Sequence, residues 1–185
     1  MADALWMDET YLMENSVIYE NADMKVITPS IIYAQNAWVK PLLGTRLYDL
    51  VQGEINSYGT NTSSYSSRVR SLLDILKFAL MYRIMEDATS EFVYKWMNKG
   101  IVIKTGDNSQ AVTPQIIEFI QNKNRVKAEM FEERVRKFLF KNLTTYPEYT
   151  QNTQLDDIQP KSISAKTGIF LDDDTEECDW KKFHR

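Results

Sequence analysis

The sequence has almost none of the side chains that most enzymes and metal proteins use for chemistry. It contains a single histidine, His184, and a single cysteine, Cys178, and both lie close to the C-terminus. Serine–histidine and cysteine–histidine nucleophiles need both partners within hydrogen-bond reach, and structural zinc sites need several such ligands. The inventory therefore excludes these sites from the rest of the chain. One cysteine also permits no internal disulfide, which is typical of a reducing compartment.

The sequence is also poor in glycine and in long apolar runs. Its six glycines are scattered and form neither a G-x-x-x-x-G-K nor a G-x-G-x-x-G pattern, which excludes the common phosphate cradles. The longest uncharged apolar run, Phe78 to Tyr82, is far too short to span a bilayer, so we expect no membrane partner. The N-terminal residues carry acids where a secretory leader has bases, so we expect no leader.

Carboxylates are the remaining candidates for chemistry. The run Asp172–Glu177 resembles a calcium loop in composition, but it lacks the glycine and the spaced acids of an EF-hand. Metal-binding helical bundles usually add histidine through a Glu-x-x-His motif, which a single histidine near the C-terminus does not supply. We therefore predict no catalytic residue, metal or cofactor. A carboxylate-dependent enzyme is an alternative that no specific constellation supports.

Aromatic residues are abundant, with four tryptophans and ten tyrosines. They fit either a core built from aromatics or large protein–protein surfaces, where such residues concentrate. The net charge of −4 argues against broad electrostatic capture of nucleic acid.

Two helices are predicted before residue 60. Thr28-Pro29 places a capping residue before proline, which indicates a helix start, and Lys40-Pro41 indicates its end. Thr45 is predicted to cap the second helix. The predicted buried face of that helix consists of Leu47, Tyr48, Val51 and Ile55.

A long central helix is predicted from Val69 onward. Apolar side chains cover most of its sides, as is typical of a helix packed by neighbours nearly all round. Helical spacing continues through Trp96 to a stop at Lys99-Gly100. The β-branched run Ile101–Ile103, a polar turn and Ala111-Val112 then predict a small β-hairpin near 100–112.

Thr113-Pro114 repeats the cap-plus-proline pattern and predicts a helix over 114–143. Its predicted inner face consists of Ile117, Ile120, Ala128, Phe131, Val135, Phe138 and Leu139. Its basic residues are Lys123, Arg125, Lys127, Arg134, Arg136, Lys137 and Lys141. They are interpreted either as a solvated outer face with i,i+4 ion pairs or as a surface facing nucleic acid or an acidic partner.

These patterns predict an all-α fold, a helical bundle of about four to five helices with a small β-hairpin and an extended C-terminal tail. Residues 1–25 are predicted to form a short helix near 8–20 or an arm that orders on a partner, and 26–149 the helical domain. Residues 150–185 are predicted to form an acidic tail that orders only against neighbouring chains.

A set of short motifs in a fixed order resembles the head–tail connector (adaptor) proteins of tailed phages, as in phages and prophages of Bacteroides-like hosts. The motifs are Ile27-Thr28-Pro29 through Gln35, Trp38-Val39-Lys40-Pro41-Leu42-Leu43-Gly44-Thr45, Leu47-Tyr48-Asp49, Asn98-Lys99-Gly100, Asp107-Asn108-Ser109 and Tyr146-Pro147-Glu148-Tyr149. They cover residues 25–149. The chain departs from the family pattern in the tail after Tyr149.

The resemblance implies an all-helical virion subunit that forms a ring, commonly of twelve copies, at the head–tail interface. It implies contacts with the portal protein and with further neck and tail ring proteins, and assembly in the cytoplasm of a bacterial host. DNA would pass through the channel without specific binding, and no catalysis is implied. A neck ring protein of a crAss-like phage is one protein of this kind.

Assembly is predicted to use strand addition and aromatic anchoring. The residues predicted to contact a partner are Val102, Ile103, Phe170, Leu171, Trp180 and Phe183. For Val102 and Ile103, packing on the chain's own helices is an equal alternative. The alternative function is that of a nucleic-acid-binding helical protein that uses the basic face of helix 114–143.

Overall fold

The protein is a helical bundle in a computed structural model that describes residues 4–18, 22, 24–59, 61–97, 100–103 and 113–160, with the backbone alone for 94–97 and 100–103. The helices are α1 (Glu9–Asn15), α2 (Met24–Ala34), α3 (Lys40–Leu43), α4 (Thr45–Tyr58), α5 (Ser67–Val93) and α6 (Pro114–Lys141). The strands are β1 (Tyr94–Met97) and β2 (Gly100–Ile103). The predicted all-α class is confirmed. Within the described ranges no helix has the length and apolarity needed to cross a membrane.

Helix α5 is the centre of the bundle. It packs against α2 on one side and most extensively against α6 on another. Leu72, Leu76 and Ile84 are almost fully buried along it. Helices α5 and α6 are antiparallel. Phe78 contacts Phe131, and further along α5 Glu86 contacts Arg125, which lies earlier in α6. The prediction of a central helix is confirmed.

Helix α2 begins at Met24, so the start predicted at Thr28-Pro29 is wrong. Pro29 lies inside the helix. Its missing N–H removes one helical hydrogen bond, but the earlier start places Ile27 and Ile31 one turn apart, and both are fully buried. Burial of one such side chain contributes about 1.5–3 kcal/mol, which offsets the lost bond.

The helical path continues through Lys40-Pro41, so the end predicted there is also wrong. A π-helical turn, Gln35–Val39, connects α2 to α3, and the backbone N–H of Lys40 donates to the carbonyl of Gln35. Proline clashes with the carbonyl of the preceding turn in a regular α-helix. The wider turn relieves this clash, and the path then ends at Gly44, which has a φ of 78°.

The N-terminal residues pack on the body through two buried glutamines. Gln52 Nε2 donates to the carbonyl of Ala4 at 3.0 Å, and the backbone N–H of Trp6 donates to Gln35 Oε1 at 3.1 Å. The Trp6 ring stacks on Tyr48 with centroids 4.8 Å apart. Helix α1 follows with Leu12 fully buried. The short helix is therefore observed, within the predicted range 8–20.

The β-hairpin predicted near 100–112 is not supported. Strand β2 pairs with the residues before it, because β1 and β2 are antiparallel with Tyr94 opposite Ile103 and Met97 opposite Gly100. The segment 94–97, predicted to be helical, is therefore extended. Its partner strand β2 is rich in β-branched residues. Backbone hydrogen bonds to β2 replace those that residues 94–97 would make if α5 continued. Ala111 and Val112 lie outside the described residues.

The first part of the predicted tail is a strap, residues 150–160, that packs on the chain's own body. The backbone N–H of Thr45 donates to the carbonyl of Ile158 at 3.1 Å, and Ile158 N donates to Thr45 Oγ1 at 2.8 Å. Asn152 is buried and accepts a hydrogen bond from Arg46 N. The prediction that the whole of 150–185 orders only against neighbouring chains is therefore too broad.

The strap is expected to loosen at acid pH through Asp157. The backbone N–H of Gln154 and the guanidinium of Arg46, 3.2 Å away, hold the pKa of this carboxyl below its ordinary value of 3.8. A depressed pKa stabilises the fold above the unfolded value of 3.8 and loses that contribution as pH falls through the folded pKa. The amide signals of Thr45 and Arg46 should titrate below pH 3.8 in NMR spectra. Asp157→Asn should abolish this titration, and a midpoint at or above 3.8 would contradict it.

Candidate interaction surfaces

The inner face of α6 packs on α5, as predicted in outline. Ile117, Ala128, Val135 and Leu139 are buried on it. Ile120, which the sequence placed on this face, is 38% exposed, so that assignment is wrong. It lies about 60° around the helix from Ile117–Val135, at the edge of the contact with α5.

The opposite face of α6 carries an exposed row of residues at spacings of three and four. We call this row the outer stripe. Its members are Ile116, Phe119, Lys123, Val126, Met130, Arg134, Lys137 and Lys141, and all are exposed. Residues at these spacings lie one above another along one side of a helix. The large apolar members lie in solvent although buried positions of α6 hold polar Asn124 and Glu132.

The outer stripe has two halves of different chemistry. Its N-terminal half is mainly apolar, and Phe119 is 67% and Val126 65% exposed. Its C-terminal half is basic, with Arg134, Lys137 and Lys141. The stripe contains no acid; the nearest charge contact is Lys137 Nζ to Glu133 Oε1 at 3.6 Å, beside the stripe.

The seven basic residues singled out in the sequence do not form one surface. Arg125 pairs with Glu86 at 2.8 Å, and Arg136 contacts Glu132 and Glu133. Lys127 lies over the Tyr82 ring and Arg134 over the Phe131 ring. Lys123 and Lys141 are exposed on the outer stripe together with Arg134 and Lys137. Ion pairing, the simpler interpretation, therefore accounts for Arg125, Arg136 and Lys137.

A buried charge network joins α5, α6 and the π-helical turn. Arg83 is 3% exposed, and its guanidinium contacts Glu132 at 2.6 Å and Glu86 at 2.7 Å. The same guanidinium lies 3.8 Å from the centroid of the Trp38 ring. Burial alone lowers the pKa of Arg83, but its hydrogen bonds and ion pairs with both carboxylates raise the pKa above its ordinary value. The guanidinium is therefore a fixed positive charge at the centre of the bundle.

A second exposed apolar patch lies on α2. An open, shallow depression there is lined by Met24, Lys25, Thr28, Pro29, Ile32 and Tyr33. Ile32 is 47% and Tyr33 50% exposed. This patch and the outer stripe lie on different helices, each packed against α5.

The residues predicted to contact a partner are placed only in part. Val102 and Ile103 lie in β2, where their backbones pair with Lys95 and Tyr94 of the same chain. Phe170, Leu171, Trp180 and Phe183 lie outside the described residues. In the described part of the chain, no three histidine, cysteine or carboxylate side chains group closely enough to hold a metal ion.

The outer stripe was missed in the sequence although its signal is present. The apolar residues of α6 follow two separate rows at spacings of three and four, on opposite sides of the helix. Packing of one inner face on α5 explains only the row of buried apolar residues. The second row, Phe119, Val126 and Met130, was therefore the sign of a second contact surface.

The comparisons place the chain in a family. The chain belongs to the family of unknown function DUF6712, whose family model matches residues 39–159. The match begins at the end of the π-helical turn and ends within the strap. No curated protein matches the chain. No solved structure matches it either.

Proposed function

We propose that the chain is a structural subunit of an oligomeric ring, of the kind that connects the portal to the tail in tailed phages. The observation that carries the proposal is the outer stripe of α6. Large apolar side chains exposed together and flanked by charge are typical of protein–protein interfaces. The α6 stripe combines exposed Phe119, Val126 and Met130 with bases.

Two unlike surfaces support a ring in particular. A ring with rotational symmetry joins one surface of a subunit to a different surface of the next, whereas a twofold dimer joins a surface to itself. The α2 patch and the outer stripe differ in composition, since the patch has one base, Lys25, and the stripe has four. Their separation on different helices around α5 suits contacts with two neighbours.

The finer parts of this proposal rest on the resemblance in motif order. They are the portal protein as a partner, the other neck and tail ring proteins as further partners, and a copy number of twelve. The Leu42-Leu43-Gly44-Thr45 block that carries most of this resemblance lies inside the family match at 39–159. With a net charge of −4, the chain suits a channel through which DNA passes without being bound.

The nucleic-acid-binding alternative has less support from the geometry. A surface that grips DNA presents several unpaired bases to phosphates. Arg125, Arg136 and Lys137 are engaged with carboxylates, and Lys127 and Arg134 lie over aromatic rings.

Native mass spectrometry of the purified chain, alone and with portal protein, tests the ring proposal. We expect a closed oligomer for the wild type and its loss in the double variant Phe119→Asp, Val126→Asp, because two carboxylates would replace apolar side chains that the contact buries. Leu155→Asp is the matched control, since Leu155 is fully exposed in the strap. A wild-type chain that stays monomeric in the presence of portal and neck proteins would contradict the proposal.

A further inference from the structure

We infer that the outer stripe of α6 in one copy binds the acidic segment 169–180 of a neighbouring copy. The inference rests on the proposed function, since it names the contact that would join two ring subunits. It assigns one occupant to a surface that the described part of the chain leaves uncovered.

The two elements are complementary in charge. Segment 169–180 contains six acids between Asp172 and Asp179 and no base. The outer stripe contains four bases, Lys123, Arg134, Lys137 and Lys141, and no acid. Complementary potentials of this kind favour the correct partner and its register.

The segment and the outer stripe also match in the order of apolar and charged residues along the chain. The segment is apolar first, in Ile169, Phe170 and Leu171, and acidic afterwards. The stripe is mainly apolar in its N-terminal half and basic in its C-terminal half. Docking the segment parallel to α6 therefore pairs apolar with apolar and acid with base, whereas the antiparallel arrangement pairs neither.

Their lengths agree. From Ile116 to Lys141, a helix rising 1.5 Å per residue covers about 38 Å. An extended chain from 169 to 180 covers about 36 Å at 3.3 Å per residue. The segment can thus follow the whole stripe without a gap or an excess.

The strap sets the point from which the segment departs. It fixes residues 150–160 to the start of α4 through Thr45 and Arg46. Helix α4 packs on α3 and on the 3-10 turn Pro147–Tyr149. The eight residues 161–168 extend up to about 28 Å from the strap, enough to reach an adjacent subunit. In a ring, each stripe then receives one segment and each segment fills one stripe.

Charge reversal on either side tests the pairing in the full chain. A stripe-reversed variant carries Arg134→Glu and Lys141→Glu, and a segment-reversed variant carries Asp174→Lys and Glu177→Lys. Each alone should need a roughly tenfold higher concentration than the wild type to assemble, because like charges would meet. A 1:1 mixture of the two should assemble as the wild type does, since each variant's segment then meets the other's stripe.

The outcomes separate this inference from the proposed function. If the wild type forms rings and both variants assemble equally well, the inference fails and the ring proposal stands. If each variant is impaired and mixing does not restore assembly, the contact is not between neighbours and the inference also fails. A wild type that never assembles contradicts both. Unchanged helical circular dichroism and unfolding temperature show that the variants fold.

Cross-linking tests the direction of docking with the chain's only cysteine as the probe. In parallel docking, Cys178 lies near the C-terminal end of the outer stripe, so Lys137→Cys should give a ladder of disulfide-linked chains on mild oxidation. Ile116→Cys, at the opposite end, is the matched control and should give little. Adding Cys178→Ser should abolish the ladder. Equal yields at both ends, or a disulfide within one chain, would overturn the assignment.

Discussion

Replacing Arg83 by alanine should lower the free energy of unfolding by about 3 kcal/mol, because it removes the buried guanidinium between Glu86 and Glu132. Among the described residues, the two carboxylates keep only the more exposed Arg125 and Arg136 as partners. Glu132 is 7% exposed, and the Glu86 side chain is 12% exposed. The loss of the guanidinium also removes the contact with the Trp38 ring. Urea unfolding followed by circular dichroism measures the change as a lower midpoint with an unchanged slope.

Two comparisons make this prediction specific to the buried charge. Lys77→Ala removes an ion pair with Asp74 whose carboxylate is 65% exposed, and should change stability by less than about 1 kcal/mol. The double variant Arg83→Met, Glu132→Met removes one buried charge of each sign and should be more stable than Arg83→Ala. An Arg83→Ala chain as stable as the Lys77→Ala chain would show that the network contributes nothing.

The buried charge network is a feature that the spacing of apolar residues in the sequence does not predict. The sequence around Arg83 predicts a helix apolar on most sides, and α5 has that character. Nothing in the spacing distinguishes a buried arginine from an exposed one on such a helix. Its partners Glu86 and Glu132 lie 3 and 49 residues away, and only the antiparallel packing of α5 and α6 brings Glu132 to it.

Helix positions were predicted best where a cap and an apolar row agree. Thr113-Pro114 starts α6 as expected, and α4 buries Leu47, Tyr48, Val51 and Ile55 as expected. The cap predicted for α4 is wrong, because Gly44 occupies the cap position and Thr45 is the first helical residue. At Thr28-Pro29 burial of Ile27 overrode the local start signal, and at Lys40-Pro41 the π-helical turn overrode the local stop signal. Packing thus decided the start of α2, and local backbone geometry decided its continuation into α3.

Only part of the candidate site could be predicted from the sequence. Basic residues of α6 were identified, yet the apolar members of the outer stripe were not, because one amphipathic face is the usual expectation for a helix. The acidic segment was recognised by composition, and its pairing with α6 follows only once the stripe is known to be exposed.

The Leu42-Leu43-Gly44-Thr45 block has a structural explanation. Leu42 and Leu43 are buried at the end of α3, and Gly44 turns the chain into α4 with φ 78° and ψ 159°. Thr45 then bonds the strap at Ile158. The family match at 39–159 spans this junction together with most of the strap that closes on it. The block therefore lies where the beginning and the end of the family match meet in the fold.

Gly44→Ala should destabilise the fold by about 2–4 kcal/mol, because side chains other than hydrogen are strained in this backbone conformation and the strap leaves no room. A Cβ there would lie 2.5 Å from Asn152 Nδ2 and 2.9 Å from Pro160 Cδ. Since Asn152 and Pro160 belong to the strap, the substitution should also release it.

The matched control is a second glycine-to-alanine substitution, at a position within α4. Gly53 lies within α4, and a Cβ there would meet nothing within 4 Å. Gly53→Ala should therefore stabilise the chain by about 0.5–1 kcal/mol, since alanine favours the helix and glycine does not. Thermal unfolding gives the two opposite shifts, and limited proteolysis should cut the strap at 150–160 faster in Gly44→Ala alone. Equal behaviour of the two variants would mean that the strap does not close on Gly44. In that case the acidic segment would lack the fixed point of departure from which it reaches a neighbour.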